Sequence, residues 1–302
     1  MYISYDYYRI FYYVAKYRSF TQAANALLNN QPNITRAIKN LEGELGCKLF
    51  VRSNRGVTLT PEGERLYEHI SIAFRHIETA ENELLMDKGL QSGCISIGAS
   101  EVALHCFLLP VLKEFREKYP GVRIRVSNHS TPQAISALKD GLIDLAVVTT
   151  PVDVPKTAKM TVLKEIQEMA VCGTAYSYLT ENLLSIKDLS NYPIICLGNQ
   201  TKTYELYTDW FANYGLELKP DIEAATADQI LPLVKNDLGI GFVPEEFLKN
   251  ESKETGVYRL NIKEKVPSRS VCLIKGMEHR LSIAADTLEK LLLQKRINKP
   301  DY

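Results

Sequence analysis

The sequence predicts a head of short helices with a small β-wing, then a long linker helix and a C-terminal α/β domain of two subdomains. Three observations support this fold class. The first 60 residues combine helical apolar spacing with a basic excess, residues 61–88 carry a heptad-like apolar repeat, and strands alternate with helices after Gly93. A chain of 302 residues has room for two or three such domains.

Charge is divided unevenly along a chain that is neutral as a whole. The first 60 residues hold eight Lys or Arg and three Asp or Glu, a net charge of +5, so the remainder carries −5. A basic head on an acidic body favours a polyanionic partner at one end of the molecule.

The apolar runs and the cysteines limit where the protein works. No apolar run reaches the roughly 18 residues that a membrane helix needs, and charged residues interrupt the N-terminal apolar stretch, so neither a membrane span nor a secretory signal is expected. Six scattered cysteines without a C-x-x-C pair suit a reducing cytoplasm and offer no zinc-ligand spacing. We therefore expect a cytoplasmic protein without a metal or another cofactor.

Three helices are predicted in the head. Apolar residues recur at helical spacing between residues 5 and 17, which predicts an amphipathic first helix. Thr21 is the predicted N-cap of the second helix. The pair Asn29-Asn30 tolerates a tight turn, Asn30 can cap the third helix, and Pro32 lies in that helix's first turn, where its missing N–H costs little. An apolar stripe on the third helix is expected to be buried: Ile34, Ile38, Leu41 and Leu45.

The side chains left on the outer face of the third helix suit DNA. Gln and Asn pair with adenine edges, Arg pairs with guanine, and Lys or Thr bind phosphate. A solvated polar face is the plain alternative, but the caps, the turn, the small-residue helix face and the basic excess together favour a DNA-binding unit. The predicted contact residues on these two helices are Thr21, Gln31, Asn33, Thr35, Arg36 and Lys39.

A hairpin follows the third helix. The β-prone runs Leu49–Arg52 and Val57–Leu59 flank an Asn/Gly turn, and Arg52 and Arg55 are expected to face the DNA backbone or minor groove. The head is therefore predicted to be an all-α winged helix-turn-helix. Thr60-Pro61-Glu62 then predicts the start of another helix.

The linker helix is predicted from residue 61 to about residue 88. Its apolar positions alternate between spacings of four and three, as in a coiled-coil seam. A narrow seam flanked by charge favours a second copy of the chain over packing on its own domain, and a dimer places two heads on one duplex. The predicted dimerisation residues are Leu66, Ile70, Ala73, Ile77, Ala80 and Leu84. A hinge is expected at residues 87–93.

The C-terminal part, residues 89–302, is predicted to be a clamshell of two α/β subdomains. The first spans about 94–160 plus 268–302 and the second spans 161–267. Leu104 to Tyr119 is predicted as one helix that contains Pro110. Ligands of open α/β sheets bind beyond the carboxyl ends of the strands, so the strand-end loops are the predicted effector site.

These loops are rich in hydroxyl and amide groups, and several of them begin helices. Free N–H groups at a helix start suit a carboxylate, sulfate or phosphate, so a small anionic effector is the first expectation, although each Ser or Thr alone could be a simple N-cap. Lys202 is the nearest cation and Glu101 would repel an anion, so a polar or amine-bearing metabolite stays open. The predicted effector-binding residues are Ser100, Thr131, Thr149, Asn199, Gln200, Thr201 and Thr226.

An ordered series of motifs runs through the head: Ser19-Phe20-Thr21, Ala23-Ala24, Gln31-Pro32, Leu41-Glu42, Leu49-Phe50 and Leu59-Thr60-Pro61-Glu62-Gly63. Over about 55 residues this series resembles the winged helix-turn-helix of LysR-type transcriptional regulators. Two positions depart from the family pattern. Asn30 stands where Ser or Thr is common, and Asn33 stands where Ala is common, which bears on the bases that are read.

The C-terminal part carries three further motifs: Gly141-Leu142-Ile143-Asp144-Leu145-Ala146, Leu189 with Pro193-Ile194-Ile195, and Gly239-Ile240-Gly241-Phe242-Val243-Pro244. They resemble the LysR-type effector domain, which has a periplasmic-binding-protein-like fold. The resemblance implies a homodimer or homotetramer on a double-stranded DNA operator, with RNA polymerase as a further candidate partner. It also implies an inducer cleft lined by Ser100, Thr131, Thr149, Thr201 and Thr226.

Two other functions are alternatives. A redox-responsive regulator would sense through cysteine, yet Cys172 and Cys196 lie on predicted strands without the basic neighbours that lower a thiol's pKa. An enzyme is disfavoured because Ser100 has no G-x-S-x-G elbow, the five histidines form no metal-ligand pair on one face, and no Walker or dinucleotide fingerprint occurs. The sequence favours a regulator that is not an enzyme.

Overall fold

A computed structural model of the chain describes residues 3–53, 56–85, 93–248, 256–277 and 281–296. Its contacts divide the chain into two compact units, residues 1–81 and residues 82–302. Within the described ranges, no helix combines the length and the apolar character that crossing a bilayer requires.

The first unit contains three helices, a β-hairpin and most of a long helix. Their bounds are α1 (Tyr5–Tyr17), α2 (Phe20–Ala26), α3 (Gln31–Leu45), β1 (Phe50–Ser53), β2 (Gly56–Leu59) and α4 (Pro61–Leu85). The apolar faces of α1, α2 and α3 meet in one core around Phe11, Ile34 and Leu41, each fully buried. The stripe predicted for α3 faces this core, with Leu45 at its margin. Residues 86–92, which include most of the predicted hinge, lie outside the described residues.

The start of α2 differs from the prediction. Ser19, and not Thr21, is the N-cap: its hydroxyl accepts the backbone N–H of Gln22 at 3.2 Å. The reason is that Phe20 is already helical and packs its ring into the core, which leaves Ser19 as the last residue with an extended backbone. Asn30 caps α3 as predicted, since its side chain accepts the backbone N–H of Asn33 at 3.0 Å.

The start of α4 packs tightly against the hairpin. The Thr60 hydroxyl accepts the backbone N–H of Gly63 at 3.0 Å and donates to the carbonyl oxygen of Lys48 at 2.7 Å. Gly63 lies so close to the Leu49 carbonyl oxygen that a Cβ at this position would collide with it. Only glycine therefore permits this approach of α4 to the chain that enters the hairpin.

The second unit is built around a sheet of nine strands. Eight strands follow the order β4-β3-β5-β13-β6-β10-β8-β9, and β11 adds to β6. The strands are β3 (Cys94–Ala99), β4 (Arg123–Asn128), β5 (Leu145–Thr149), β6 (Ala158–Cys172), β7 (Leu183–Leu184), β8 (Ile194–Leu197), β9 (Ile222–Ala224), β10 (Ile240–Pro244), β11 (Tyr258–Arg259), β12 (Asn261–Ile262) and β13 (Ser268–Gly276). β7 and β12 form a separate pair.

Helices cover this sheet. They are α5 (Glu101–Ala103), α6 (Leu109–Lys118), α7 (Thr131–Lys139), α8 (Ile186–Leu189), α9 (Lys202–Ala212), α10 (Ile230–Lys235), α11 (Glu245–Leu248) and α12 (Ile283–Gln294). Two short 3-10 segments lie at Thr174–Glu181 and Ala227–Gln229.

Two long antiparallel strands join the halves of this unit. β3, β4 and β5 are parallel to one another in one half, and β8, β9 and β10 are parallel in the other. β13 pairs with β5 and with the first part of β6, whereas the last part of β6 pairs with β10. Residue 160, the sequence-based boundary between the subdomains, lies within β6, so this strand contributes to both halves. The exact division stays a proposal.

The helix predicted from Leu104 to Tyr119 is present as an unbroken helical run that ends at Lys118, but its first part is not α-helical. Residues Leu104–Leu108 form a π-helical turn that precedes α6. Pro110 has no N–H to donate to the carbonyl of Cys106, and this carbonyl oxygen instead accepts a hydrogen bond from Lys164 Nζ at 3.1 Å. The proline is the physical reason for the change of helical period.

Candidate nucleic-acid interface and ligand cleft

The outer face of α3 is polar and open to solvent. Ala37 and Ile38 are buried beneath it, so the helix is held by its apolar side. Thr21 on α2 lies against this face, because its Oγ1 donates to Oε1 of Gln31 at 3.2 Å. This contact brings Thr21 and Gln31 together, and four further predicted contact residues lie on α3 with Gln31. Those that are exposed are Thr21, Gln31, Asn33, Arg36 and Lys39, and Thr35 is half-buried.

Two cations on this face are available to an anion. Arg36 and Lys39 are exposed, and no carboxylate of the described residues forms an ion pair with either. The nearest acid along the helix, Glu42, turns away from them and is buried, with 8% of its surface exposed. The polar face of α3 therefore carries an uncompensated positive charge, which phosphate or the acceptor edge of guanine can neutralise.

Glu42 ties α3 to the hairpin. Its Oε1 accepts the backbone N–H of Leu49 at 2.9 Å and that of Phe50 at 3.4 Å, and its Oε2 accepts from Lys48 Nζ at 2.7 Å. Burial alone would raise the pKa of Glu42, but these three donors hold the pKa below its ordinary value. The carboxylate is thus ionised at neutral pH and fixes the hairpin relative to α3.

The predicted wing is present. β1 and β2 pair antiparallel, with Arg52 opposite Val57 and Ser53 opposite Gly56. The hairpin tip, which includes Arg55, lies outside the described residues, and so does the side chain of Arg52. Their predicted role at the DNA backbone stays a proposal.

An aromatic stack joins α4 to α1. The ring of Phe74 lies 4.7 Å from that of Tyr12 at an interplanar angle of 6°, and 5.6 Å from that of Tyr5. Phe74 is buried, with 7% of its surface exposed. Because α4 is anchored in this way, its direction is fixed relative to the helices of the head.

The predicted dimerisation residues of α4 fall into two groups in the structure. Leu66 and Ile70 pack against the core of the head, so their surface is only partly available to a second chain. Ala73, Ile77 and Ala80 are exposed, and the side chain of Leu84 lies outside the described residues. In the first turns of α4, predicted dimerisation residues therefore cover the core of the head.

A buried ion pair lies where the two halves of the second unit meet. Nε of Arg269, on β13, lies 2.5 Å from Oε1 of Glu168, on β6, and the side chains are 3% and 0% exposed. The hydroxyl of Tyr207, on α9, donates to Oε2 of the same glutamate at 2.8 Å. Burial raises the pKa of Tyr207 well above its ordinary value, so the phenol keeps its proton.

Arg269 also joins the ends of strands from both halves. Its Nη1 donates to the Thr203 hydroxyl of α9 at 2.8 Å and lies 3.4 Å from the Thr149 hydroxyl at the end of β5. Arg269 is absent from the effector-binding residues predicted from the sequence. No local signal marked it, since Arg269 lies on a strand and 120 residues separate it from Thr149.

The predicted effector residues have different roles in this arrangement. Thr131 is buried and donates to the carbonyl oxygen of Thr149 at 3.1 Å, which links the start of α7 to the end of β5. Ser100, Thr201 and Thr226 cap the elements that follow them. The exposed pair Asn199-Gln200 lies in the loop before α9.

A second ion pair bridges the two halves nearer to solvent. Nζ of Lys202, at the start of α9, lies 2.8 Å from Asp153, in the loop after β5, and 2.7 Å from Glu205. Hydrogen bonds to Asp153 and then Glu205 raise the pKa of Lys202 to about 12. Glu101, expected to repel an anion, is itself engaged by His105 at 2.9 Å.

The cavity beside Arg269 is small. Its volume is about 10 Å³, room for about one water molecule. It lies at the carboxyl ends of the parallel strands β8 and β10, where open α/β sheets bind ligands. The lining combines polar groups with an apolar floor: Arg269, Thr203 and Tyr207, with Ile195, Ile230 and Phe242. A larger ligand does not fit this cavity in the form that the structure shows.

Metal binding and thiol chemistry have little support among the described residues. Among the described residues, no group of three or more His, Cys, Asp or Glu could hold a metal ion. Burial raises the thiol pKa of Cys106 and Cys196 to about 12, and that of Cys172 and Cys272 to about 11. Such thiols are almost wholly protonated at neutral pH and are poor nucleophiles.

Two families match the chain. Residues 5–64 match the family described as bacterial regulatory helix-turn-helix protein, lysR family. Residues 88–296 match the LysR substrate binding domain. Together the matches cover residues 5–64 of the first unit and nearly all of the second.

Relatives and solved structures agree with these matches. A probable nitrogen assimilation transcriptional activator of Synechococcus elongatus is 30% identical over 239 residues, covering 78% of this chain and 76% of its own. The regulator CzcR of Bacillus subtilis is 27% identical over 288 residues, covering 95% and 96%. The crystal structure of CbnR, a LysR family transcriptional regulator, superposes with a TM-score of 0.76 at 15% identity, covering 98% of this chain and all of that one.

Proposed function

Because this chain belongs to the LysR family of transcriptional regulators, we propose that it is a sequence-specific DNA-binding regulator controlled by a small molecule in the cleft of its second unit. The chain combines a helix-turn-helix DNA-binding domain with a substrate-binding domain. The observation that carries the proposal is the outer face of α3, where Gln31, Asn33, Arg36 and Lys39 are exposed together.

α3 is the proposed reading helix. An α-helix fits the major groove of B-DNA, where its polar side chains reach base edges. Gln31, Asn33 and Arg36 have the chemistry to read bases, and Lys39, Thr21 and Thr35 the chemistry to bind phosphate. Arg52 and Arg55 of the wing are proposed to contact the backbone. A crystal structure of full-length CbnR complexed with its target DNA supports this proposal, since that protein has a TM-score of 0.75 to the present chain.

The functional form is proposed to be a dimer or a tetramer. Ala73, Ile77 and Ala80 form an exposed stripe on α4 that a second α4 can cover. Two heads held by paired helices match an operator with approximate two-fold symmetry. Phe74 and Tyr12 transmit the direction of α4 to each head, because the stack between them leaves little freedom.

Control is proposed to act through the cleft. Arg269 contacts Thr149 in one half and Thr203 in the other, so a ligand that enters here must change contacts on both sides. Binding shifts the equilibrium between two forms only by the difference in its affinity for them. A small carboxylate is the first candidate effector, because several strand-end loops begin helices whose N–H groups suit an anion. A polar or amine-bearing metabolite is the second, because Lys202 and Arg269 already have carboxylate partners.

DNA recognition is tested with the full chain and genomic fragments. Fragments that it retains are sequenced, and affinity is measured for a recovered duplex and for a scrambled one over a range of salt. We expect the recovered duplex to bind more tightly and both affinities to fall as salt rises. Equal affinity for the two duplexes at all salt concentrations contradicts sequence-specific binding.

The role of Arg36 is read from the same measurement. Arg36→Ala is expected to weaken binding to the recovered duplex by about 1–3 kcal/mol if the side chain pairs with a base. An equal loss on both duplexes marks a phosphate contact instead. Lys139→Ala, which removes an exposed lysine of the second unit, is the matched control and should leave both affinities unchanged.

Control by a small molecule is tested with a thermal-shift screen of metabolites on the full chain, followed by footprinting with each hit. An effector is expected to raise Tm and to alter the footprint. If every hit that raises Tm leaves the footprint unchanged, the proposed control through the cleft is wrong.

A further inference from the structure

Three asparagine amides, those of Asn29, Asn30 and Asn33, lie together at the start of α3. The backbone N–H of Asn30 donates to Oδ1 of Asn29 at 2.8 Å. Nδ2 of Asn33 donates to the same oxygen at 3.0 Å. All three residues are exposed to solvent.

These contacts fix which way each amide points. The backbone N–H of Asn30 can only donate, so the atom of Asn29 that faces it must be the oxygen. The group of Asn33 that meets this oxygen must then be its NH2. The orientation of the Asn33 amide is therefore set by the main chain, through Asn29.

The hydrogen-bonding groups of the Asn33 amide that Asn29 does not use match those of adenine. One of its two N–H groups is used by Asn29, which leaves one N–H donor and the carbonyl oxygen. In the major groove adenine presents an N7 acceptor next to an N6 donor, and an asparagine amide pairs with both at once. No other base offers this acceptor and donor side by side.

We propose that Asn33 reads an adenine in each half of the operator and that Asn29 is a positioning residue that orients the Asn33 amide. The inference rests on the proposed function, since it requires α3 to enter the major groove.

A purely structural role for Asn33 has less support. The turn before α3 is already closed without the Asn33 amide, because Asn30 Oδ1 accepts the backbone N–H of Asn33 at 3.0 Å and Asn30 N–H is satisfied by Asn29. Replacing Asn33 by alanine keeps both of these bonds. The variant should therefore fold, and its effect should appear in base preference.

The test is selection of bound sequences from a pool of duplexes with a randomised central region, using the full chain. Four proteins are compared: the natural chain, Asn33→Ala, Asn29→Ala and Asn29→Asp. The natural chain should enrich an adenine at one position of each half-site. Asn33→Ala should lower the preference for adenine there by roughly 10- to 100-fold, with other positions unchanged.

The two variants of Asn29 separate positioning from structure. Asn29→Ala should weaken the same preference, because the Asn33 amide is then free to rotate. Asn29→Asp keeps an acceptor for both donors, so the adenine preference should survive while its negative charge weakens binding to every sequence alike.

The outcomes distinguish a failure of sequence-specific DNA binding from a failure of the roles proposed for Asn33 and Asn29. If the natural chain enriches no sequence, the proposed function fails and this inference fails with it. If the natural chain enriches a sequence and Asn33→Ala enriches the same one with equal strength, only this inference is overturned. If Asn29→Asp loses the adenine preference as fully as Asn29→Ala, the positioning role of Asn29 is overturned.

Discussion

Arg269 and Glu168 are 101 residues apart in sequence and form a buried ion pair, with Nε and Oε1 separated by 2.5 Å. The pair joins the two long strands β13 and β6. Tyr207, Thr203 and Thr149 complete its hydrogen bonds from both halves of the second unit. A buried pair with this many partners makes the junction of the halves dependent on the presence of both charges.

Removal of either charge should destabilise the second unit. Glu168→Ala leaves a buried guanidinium without its carboxylate, and a loss of about 3–5 kcal/mol in the free energy of unfolding is expected. The measurement is urea unfolding of the full chain followed by circular dichroism. A loss below about 1 kcal/mol would show that the pair is not desolvated as the structure indicates.

The double variant is the control for this prediction. Glu168→Leu with Arg269→Met removes both charges, so it should recover most of the stability that the single change loses. The small cavity beside residue 269 should then lose its charged group, and effector-dependent changes in the footprint should disappear.

The Lys202–Asp153 bridge should govern how readily the cleft opens. Asp153 is 89% exposed, so Lys202→Ala should leave Tm nearly unchanged. Because the bridge joins loops from the two halves, the same change should speed hydrogen exchange in residues 149–153 and 198–203. Lys219→Ala breaks an exposed ion pair with Glu217 elsewhere in the second unit, one that does not join the two halves, and is the control. Identical hydrogen exchange of these residues in both variants would show that the Lys202–Asp153 bridge does not hold the two halves together.

Glu42 should stabilise the head in a pH-dependent way. Because the folded-state pKa of Glu42 lies below its ordinary value of 4.5, its contribution is complete above that pH and is lost as the pH falls through the folded-state pKa. Glu42→Gln should therefore cost about 1–2 kcal/mol at pH 7 and progressively less in acid. Thermal unfolding at pH 7 and below pH 4 checks this, with the exposed Glu44→Gln as control. A cost that is the same at both pH values would contradict the role of the ionised carboxylate.

Much of the head could be predicted from its sequence because its signals are local. The turn at Asn29-Asn30, the cap at Asn30 and the helix start at Thr60 each depend on residues within one turn. The cap of α2 was wrongly predicted because the burial of Phe20, a tertiary contact, decided between Ser19 and Thr21.

Non-local contacts explain what the sequence could not show. Arg269 lies at the junction of the two halves only because β13 pairs with both β5 and β6. Neither the spacing nor the composition of the sequence reveals that pairing. A tertiary contact likewise decides which predicted dimerisation residues of α4 remain exposed. Leu66 and Ile70 fit a heptad pattern, but the pattern cannot say that the core of the head occupies them.

The buried cysteines should be inert in the folded protein. With a pKa of about 11 to 12, the thiols of Cys106, Cys172, Cys196 and Cys272 are ionised in fewer than about one molecule in a thousand at pH 7.5. Thiol labelling should modify the half-buried Cys47 and Cys94 first and the other four only on unfolding. Cys196→Ser should leave DNA binding unchanged under peroxide. Rapid native oxidation of Cys196 with a change in DNA affinity would instead favour the redox-responsive alternative.

The decisive measurement for a DNA-binding assembly of several chains is sedimentation of the intact chain, alone and with a duplex that it has retained from genomic DNA. At low ionic strength we expect an assembly of two or four chains that binds one duplex, and Ile77→Asp should shift the free protein toward the monomer and weaken this binding. A natural chain that sediments as a monomer and leaves the duplex unbound would contradict the account.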